Sequence, residues 1–284
     1  MSVLTLVECP RDAMQGWAHF IPTESKIAYL NQLLKVGFDV LDFGSFVSAK
    51  AIPQLADTKD VVRKLDLSAT KTKLLAIIAN TRGAEEAVQY EEISYLGFPF
   101  SISETFQKRN TNKTIAESLK QVEEIQALCV ANGKKLVVYI SMGFGNPYGD
   151  EYSAETAITW FRKLNEMGIE TISMADTVGV ANPETIAYIY KNLIPEFPKV
   201  AIGAHFHSNE QTWEEKIQAA YDHGCVHFDS SIKGIGGCPM AEDELVGNIA
   251  TENIVQWAEK QNIPLQLDKN EFSKAMMMAN EIFI

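Results

Sequence analysis

Short apolar runs alternate with longer helical patterns eight times along this chain, and that alternation narrows the fold more than any other feature. The runs are Val3–Glu8, Val40–Phe43, Lys73–Ala79, Glu92–Leu96, Lys135–Met142, Thr171–Met174, Val200–His207 and Cys225–Ser230. Most are nearly unbroken, as in parallel strands covered on both faces. Between them Ile115, Leu119, Val122, Ile125, Leu128 and Cys129 fall on one helical stripe, opened by Thr114 and Glu117 as a capping box. Asn182-Pro183-Glu184 supplies a cap, a first-turn proline and a first-turn acid. Ile27, Leu30 and Leu34 form a further stripe, and residues 210–222 and 251–262 add two helices. Eight strand-then-helix units in about 250 residues predict an α/β fold, the (β/α)8 TIM barrel. A doubly wound open sheet is the alternative, but no GxGxxG follows the first strand. No linker divides the chain, so residues 1–284 read as one catalytic barrel domain with 265–284 as a C-terminal helical extension.

Composition removes several classes of function. Twenty-five basic against 37 acidic residues give a net charge of −12. That field repels a phosphate backbone, so no nucleic-acid partner is expected. No apolar run approaches the roughly 20 residues of a membrane helix, and no basic signal-peptide start is present. Cys9, Cys129, Cys225 and Cys238 form no CxxC pair, which fits a reducing cytoplasm.

In a barrel the chemistry gathers where strands end, and here those ends are polar. Strand 1 runs into Glu8-Cys9-Pro10-Arg11-Asp12, strand 2 carries Asp42 and then Ser45, and strand 3 ends at Asn80. Ser101, Ser103 and Glu104 follow strand 4; Ser141 and a Gly143-Phe144-Gly145 loop follow strand 5. Strand 6 ends at Asp176-Thr177, strand 7 at His205-Phe206-His207, and strand 8 at Asp229-Ser230-Ser231 before a glycine-rich loop. Residues two apart on a strand share a face, so His205 and His207 can converge on one metal ion; two buried, hydrogen-bonded histidines are the equal alternative. Asp12 adds a hard carboxylate from a neighbouring strand end. Nitrogen and oxygen donors with room for water suit Mg²⁺ or Mn²⁺. His223, Cys225 and His227 also alternate but read as packing, and Lys108, Arg109 and Lys113 form a basic cluster after strand 4.

Taken together, the motifs resemble the hydroxymethylglutaryl-CoA lyase family, among the metal-dependent lyase and Claisen-condensing TIM barrels. The matching stretches are Pro10-Arg11-Asp12-Ala13-Met14-Gln15, Ser45 to Lys50 with Ile52-Pro53-Gln54, Ser103-Glu104 with Phe106, Ala175 to Gly179, His205-x-His207, and Gly234 to Pro239 with Gly247-Asn248 and Thr251-Glu252. They run in family order over nearly the whole chain. Condensing relatives carry a GER-type loop near the end, where this chain has GGCP.

The resemblance implies that Asp12, His205, His207 and Asn248 bind Mg²⁺ or Mn²⁺. It implies catalytic roles for Arg11, Asp42, Asp176 and Cys238, with Arg11 on the enolate oxygen, Asp42 where the family has glutamate, and Cys238 as proton donor. Gln15, Ser45, Lys50, Glu104 and Ser141 are expected at the substrate, and Lys50, Lys108, Arg109 and Lys113 near the phosphates of an acyl-CoA. The implied reaction is retro-Claisen cleavage of 3-hydroxy-3-methylglutaryl-CoA in the cytoplasm, with a homodimer expected by analogy. The alternatives are a lyase on a related 3-hydroxyacyl-CoA and an acyltransferase joining acetyl-CoA to a 2-oxo acid. Departures fall at Val7, which stands where the family has an acid while Glu8 follows it, at Ala13 and Ala49, in the longer 238–248 loop, and at Ser208-Asn209 after the histidines. They bear on substrate identity rather than on reaction type.

Overall fold

The computed structural model describes residues 3–237 and 246–284. Eight parallel strands close into a barrel in chain order, the expected topology. They are β1 (Thr5–Glu8), β2 (Val40–Ser45), β3 (Lys73–Ile77), β4 (Ile93–Ser101), β5 (Lys135–Ser141), β6 (Thr171–Asp176), β7 (Ala201–Phe206) and β8 (His227–Ser230). Closure is made by β1 and β8, with Thr5 opposite His227 and Glu8 opposite Ser230.

Around the barrel lie α1 (Pro10–Gln15), α2 (Thr23–Val36), α3 (Thr58–Val62), α4 (Thr81–Ala87), α5 (Glu104–Thr111), α6 (Ile115–Ala131), α7 (Ala154–Glu166), α8 (Pro183–Glu196), α9 (Trp213–Asp222), α10 (Thr251–Lys260) and α11 (Lys269–Ile282). The capping box opens α6 as expected: Thr114 Oγ1 accepts from Glu117 N at 3.1 Å, and Glu117 accepts from Thr114 N at 2.8 Å. Asn182 caps α8 through Thr185 N at 3.0 Å. Within 265–284, α11 packs on α2, where Gln32 Nε2 donates to Glu271 O at 2.9 Å. No described helix is long and apolar enough to cross a membrane.

Three strands outrun their expected ends, β6 by Ala175-Asp176. β2 continues through Gly44-Ser45, and β4 continues through Gly97-Phe98-Pro99-Phe100-Ser101. Glycine and proline read as strand breakers. Gly97 is instead required by space, since a Cβ there would lie 3.1 Å from Leu75 and 3.2 Å from Tyr139 inside the barrel. Pro99 keeps its register opposite Tyr139.

The period of two divides each strand between two cores. Val7, Cys9, Val40, Leu75, Ile77, Val137 and Tyr139 form one cluster inside the barrel. Leu6, Leu41, Leu74 and Phe98 belong to the larger cluster that joins the barrel to its helices. Most strands therefore read as apolar runs, and several, among them β2, β4, β5, β6 and β8, end in polar side chains at the carboxyl mouth.

Candidate active site

The chain turns sharply after β1. Pro10 takes the first position of α1, where its missing N–H costs nothing. This short helix brings Arg11, Asp12 and Gln15 over the carboxyl mouth of the barrel. Arg11 is buried and uses its whole fork: Nε and Nη2 donate to Asp42 Oδ2 at 2.9 and 2.6 Å, and Nη1 donates to Asp12 Oδ1 at 2.9 Å and Gln15 Oε1 at 3.0 Å. Burial disfavours the guanidinium charge, but Asp42 and Asp12 outweigh it and raise its pKa further. Burial lifts Asp42 to about 6, against the pull of Arg11, and its Oδ1 has no hydrogen-bond partner among the described residues.

Asp12 faces the histidines. Its carboxylate and the ring nitrogens of His205 and His207 lie within 4.8 Å of one another, the expected trio. Burial raises the Asp12 pKa, but Arg11 and the two histidines more than reverse this and hold it below the ordinary value. His205 Nδ1 lies 3.0 Å from Asp229 Oδ2; burial disfavours its charge, yet Asp229 leaves its pKa raised. His207 Nδ1 lies 2.9 Å from the Thr177 carbonyl, which can only accept, so that nitrogen carries the proton. Nε2 then bears a lone pair, is buried, and has no hydrogen-bond partner among the described residues. Burial, followed by the neighbouring His205, lowers the ring to about 4, so it stays neutral near pH 7. An unpartnered imidazole lone pair beside a carboxylate and a second imidazole fits a divalent cation.

Asn248 reaches the same group. Its backbone bridges to His207, and its Nδ2 donates to Asp12 Oδ2 at 2.6 Å and Ile235 O at 3.1 Å. Gly237 N donates to Asp12 Oδ2 at 3.3 Å. Gly236 must be glycine: its φ is +128°, and a Cβ would lie 2.7 Å from Asp12 Oδ2. Cys238 follows directly and lies outside the described residues.

The other expected residues divide. Asp176 sits at the end of β6 with Lys216 Nζ on Oδ2 at 2.7 Å and Ala181 N on Oδ1 at 3.0 Å. Burial raises its pKa, with Lys216 pulling the other way. Lys216 also donates to Gly179 O and to His207 O at 3.0 and 2.8 Å, so the pair braces the strand end that presents His207. Ser45 and Ser141 are buried at strand ends, and Ser45 Oγ accepts from Val47 N at 3.1 Å. Lys50 is exposed after β2. Glu104 turns outward, accepting from Ile115 N at 3.0 Å and pairing with Lys108 at 3.1 Å, so it ties α5 to α6. Arg109 stacks over Tyr148 at 4.6 Å.

Lys216 and Asp229 carry no local signal of their roles. Lys216 looked like one helix lysine among many; Asp229 was visible only as a polar strand end. Three of the departures lie away from the Asp12–His205–His207 group: Ala13 belongs to the outer core, Val7 lines the barrel interior and Ala49 is exposed. A cavity of about 650 Å³ opens at the opposite mouth, lined at strand starts by Thr5, Val40, Lys73, Thr171, Ala201 and His227. The Asp12–His205–His207 group lies at the other end of these strands.

The model of the HMGL-like family matches residues 6–278. The chain belongs to the HMGL-like family. Hydroxymethylglutaryl-CoA lyase YngG of Bacillus subtilis is 35% identical to this HMGL-like chain over 254 residues, covering 89% of it and 84% of the relative. The cytoplasmic 3-hydroxy-3-methylglutaryl-CoA lyase of Rattus norvegicus is 31% identical over 248 residues, covering 87% of this chain and 71% of the relative. Among solved structures, an HMG-CoA lyase from Acinetobacter baumannii in complex with coenzyme A and 3-methylmalate superposes with a TM-score of 0.92 at 29% identity, over 99% of this chain and 91% of that one. Like its relatives, this HMGL-like chain is a carbon–carbon lyase.

Proposed function

We propose that the chain cleaves 3-hydroxy-3-methylglutaryl-CoA to acetoacetate and acetyl-CoA. One observation carries the reading: the unpartnered His207 Nε2 beside Asp12 and His205, next to the forked Arg11. Asp12, His205, His207 and the Asn248 carbonyl oxygen would hold Mg²⁺ or Mn²⁺, which when bound supplies Lewis acidity toward the substrate hydroxyl. Asp42 is the better-placed of the two buried aspartates for proton work. Its Oδ1 is free and its carboxyl sits at about 6, whereas both Asp176 oxygens are bonded. Loss of the hydroxyl proton lets the carbon–oxygen bond become a carbonyl as the adjacent C–C bond breaks. The electron pair passes to the thioester as an enolate. Arg11, held by Asp42, Asp12 and Gln15, offers fixed positive charge to that oxyanion. Cys238 then gives its thiol proton to the enolate carbon, completing acetyl-CoA.

Gln15 steadies Arg11 and Asp12, while Ser45 and Ser141 line the strand ends beneath the substrate. Lys50, Lys108, Arg109 and Lys113 are assigned to the CoA phosphates. Residues 1–284 act as one catalytic domain, in the cytoplasm, as a homodimer, with the acyl-CoA as small-molecule partner and no nucleic acid. The buried free thiols of Cys9, Cys129 and Cys225 and the net charge of −12 support the compartment and the absence of nucleic acid. Incubation with the thioester and Mn²⁺ should release acetoacetate and acetyl-CoA in equal amounts. No acetoacetate, with free CoA appearing instead from acetyl-CoA and pyruvate, would make this the condensing enzyme. Cys238→Ser should keep the fold and metal yet lose most turnover; wild-type turnover would remove the thiol from the mechanism.

A further inference from the structure

Glu8 takes no part in the chemistry above, and its setting is unusual. It alternates with Val7 and Cys9, which face the barrel interior, so its side chain enters the layer between barrel and helices. It is fully buried there. Oε1 accepts from Ile232 N at 2.9 Å, and Oε2 contacts Thr251 Oγ1 at 2.5 Å. The same hydroxyl lies 2.9 Å from Ser230 Oγ. Ile232 and Thr251 flank the stretch that carries Gly236, Gly237 and Asn248. Backbone bonds from Ser231 N to Ile249 O and from Thr251 N to Ser231 O, both 3.1 Å, hold the two stems side by side.

We propose that Glu8 is a positioning residue whose carboxyl joins Ile232 and Thr251 to β1 and so keeps Gly237 and Asn248 against Asp12. The inference rests on the cation site assigned under the proposed function and adds to it a residue that touches neither metal nor substrate. It also accounts for a sequence departure. The acid stands one position later than in the resembled family, and a one-residue shift along a strand moves a side chain from the interior to the outer face.

The clamp depends on protonation. Burial pushes the Glu8 carboxyl up to about 8; its bonds with Thr251 and Ile232 oppose this, and Glu252 on α10 adds to it. Among the described residues, Glu252 on α10 and the Tyr29 hydroxyl on α2 are the titratable groups that interact with it, and neither supplies positive charge. A neutral Glu8 donates to Thr251 Oγ1, which donates to Ser230 Oγ. Because the folded pKa lies above the unfolded one, the folded protein retains this proton from about pH 4.5 to about 8, and the residue's contribution to stability falls as pH rises through that window. Above about 8 the carboxylate is buried with no partner of opposite sign, and the clamp weakens.

Glu8→Gln reproduces the neutral carboxyl, with an acceptor for Ile232 and a donor for Thr251; Glu8→Val removes both. Mn²⁺ affinity, read by calorimetry, and thioester cleavage should be measured for all three proteins well below and well above pH 8. Below it, Glu8→Gln should match the wild type, and Glu8→Val should bind Mn²⁺ roughly tenfold more weakly, the low end for groups that support metal ligands. Above it, the wild type should lose affinity relative to Glu8→Gln. A wild-type to Glu8→Gln ratio that stays constant across pH would overturn the proposal, as would wild-type affinity in Glu8→Val. If Glu8→Val does not fold, the ratio decides alone. If no protein cleaves the thioester while the affinities follow this pattern, the substrate reading fails and the assignment of Glu8 stands.

Discussion

Lys216 with Asp176 and Arg11 with Asp42 form buried ion pairs at the carboxyl end of the barrel, and the two are finished differently. In Lys216–Asp176, both carboxylate oxygens are bonded and the ammonium reaches three acceptors. In Arg11–Asp42, two guanidinium nitrogens converge on one carboxylate oxygen and the other has no partner among the described residues. Burying a polar atom without a partner is costly, so a structure keeps one where a ligand completes it. His207 Nε2 also has no partner among the described residues. The saturated pair holds the strand end that presents His207, and the unsaturated pair is the one proposed to act on the substrate.

The largest expected effect breaks the unsaturated pair. Arg11→Met should lower kcat by roughly 10²–10³, about 2.7–4 kcal/mol, with a smaller change in KM, because enolate charge develops only as the bond breaks. Arg11→Lys should recover little, since an ammonium cannot span Asp42, Asp12 and Gln15. A change confined to KM would make Arg11 a substrate anchor.

Next comes the saturated pair. Lys216→Met leaves Asp176 buried without its partner, a loss of about 3–5 kcal/mol in denaturant unfolding. Lys216→Met with Asp176→Asn should recover much of that, because no buried charge is left over. Unchanged stability in the single variant would show that the bracing is unnecessary.

The smallest effect is a change of pH profile. Asp42 is protonated below about 6, so wild-type kcat/KM should rise as pH climbs through that value. Asp42→Asn should be slower and lack that limb. A limb that persists in the variant would assign the ionisation to another group.

These pairs also mark where the sequence was legible. Strands β1 to β8 showed because strands covered on both faces are apolar along their length, and Asp12, His205 and His207 showed because barrel chemistry lies at strand ends. The extensions through Gly44-Ser45 and Gly97–Ser101 were hidden, since a glycine demanded by a crowded interior reads locally as a breaker. Lys216, Asp229 and the contacts of Glu8 were hidden for another reason. Their partners lie 40, 24 and up to 243 residues away in sequence, and only closure of the barrel brings them together. Glu104 has local partners instead, accepting from Ile115 N at the start of α6 and pairing with Lys108.

The most direct test of the central claim is the stoichiometry of Mn²⁺ binding by equilibrium dialysis in the wild type, His207→Ala and Arg11→Met. The expected result is one tight ion in the wild type and in Arg11→Met, and none in folded His207→Ala. One tight ion in folded His207→Ala would contradict it, because the bare Nε2 would then belong to no metal site.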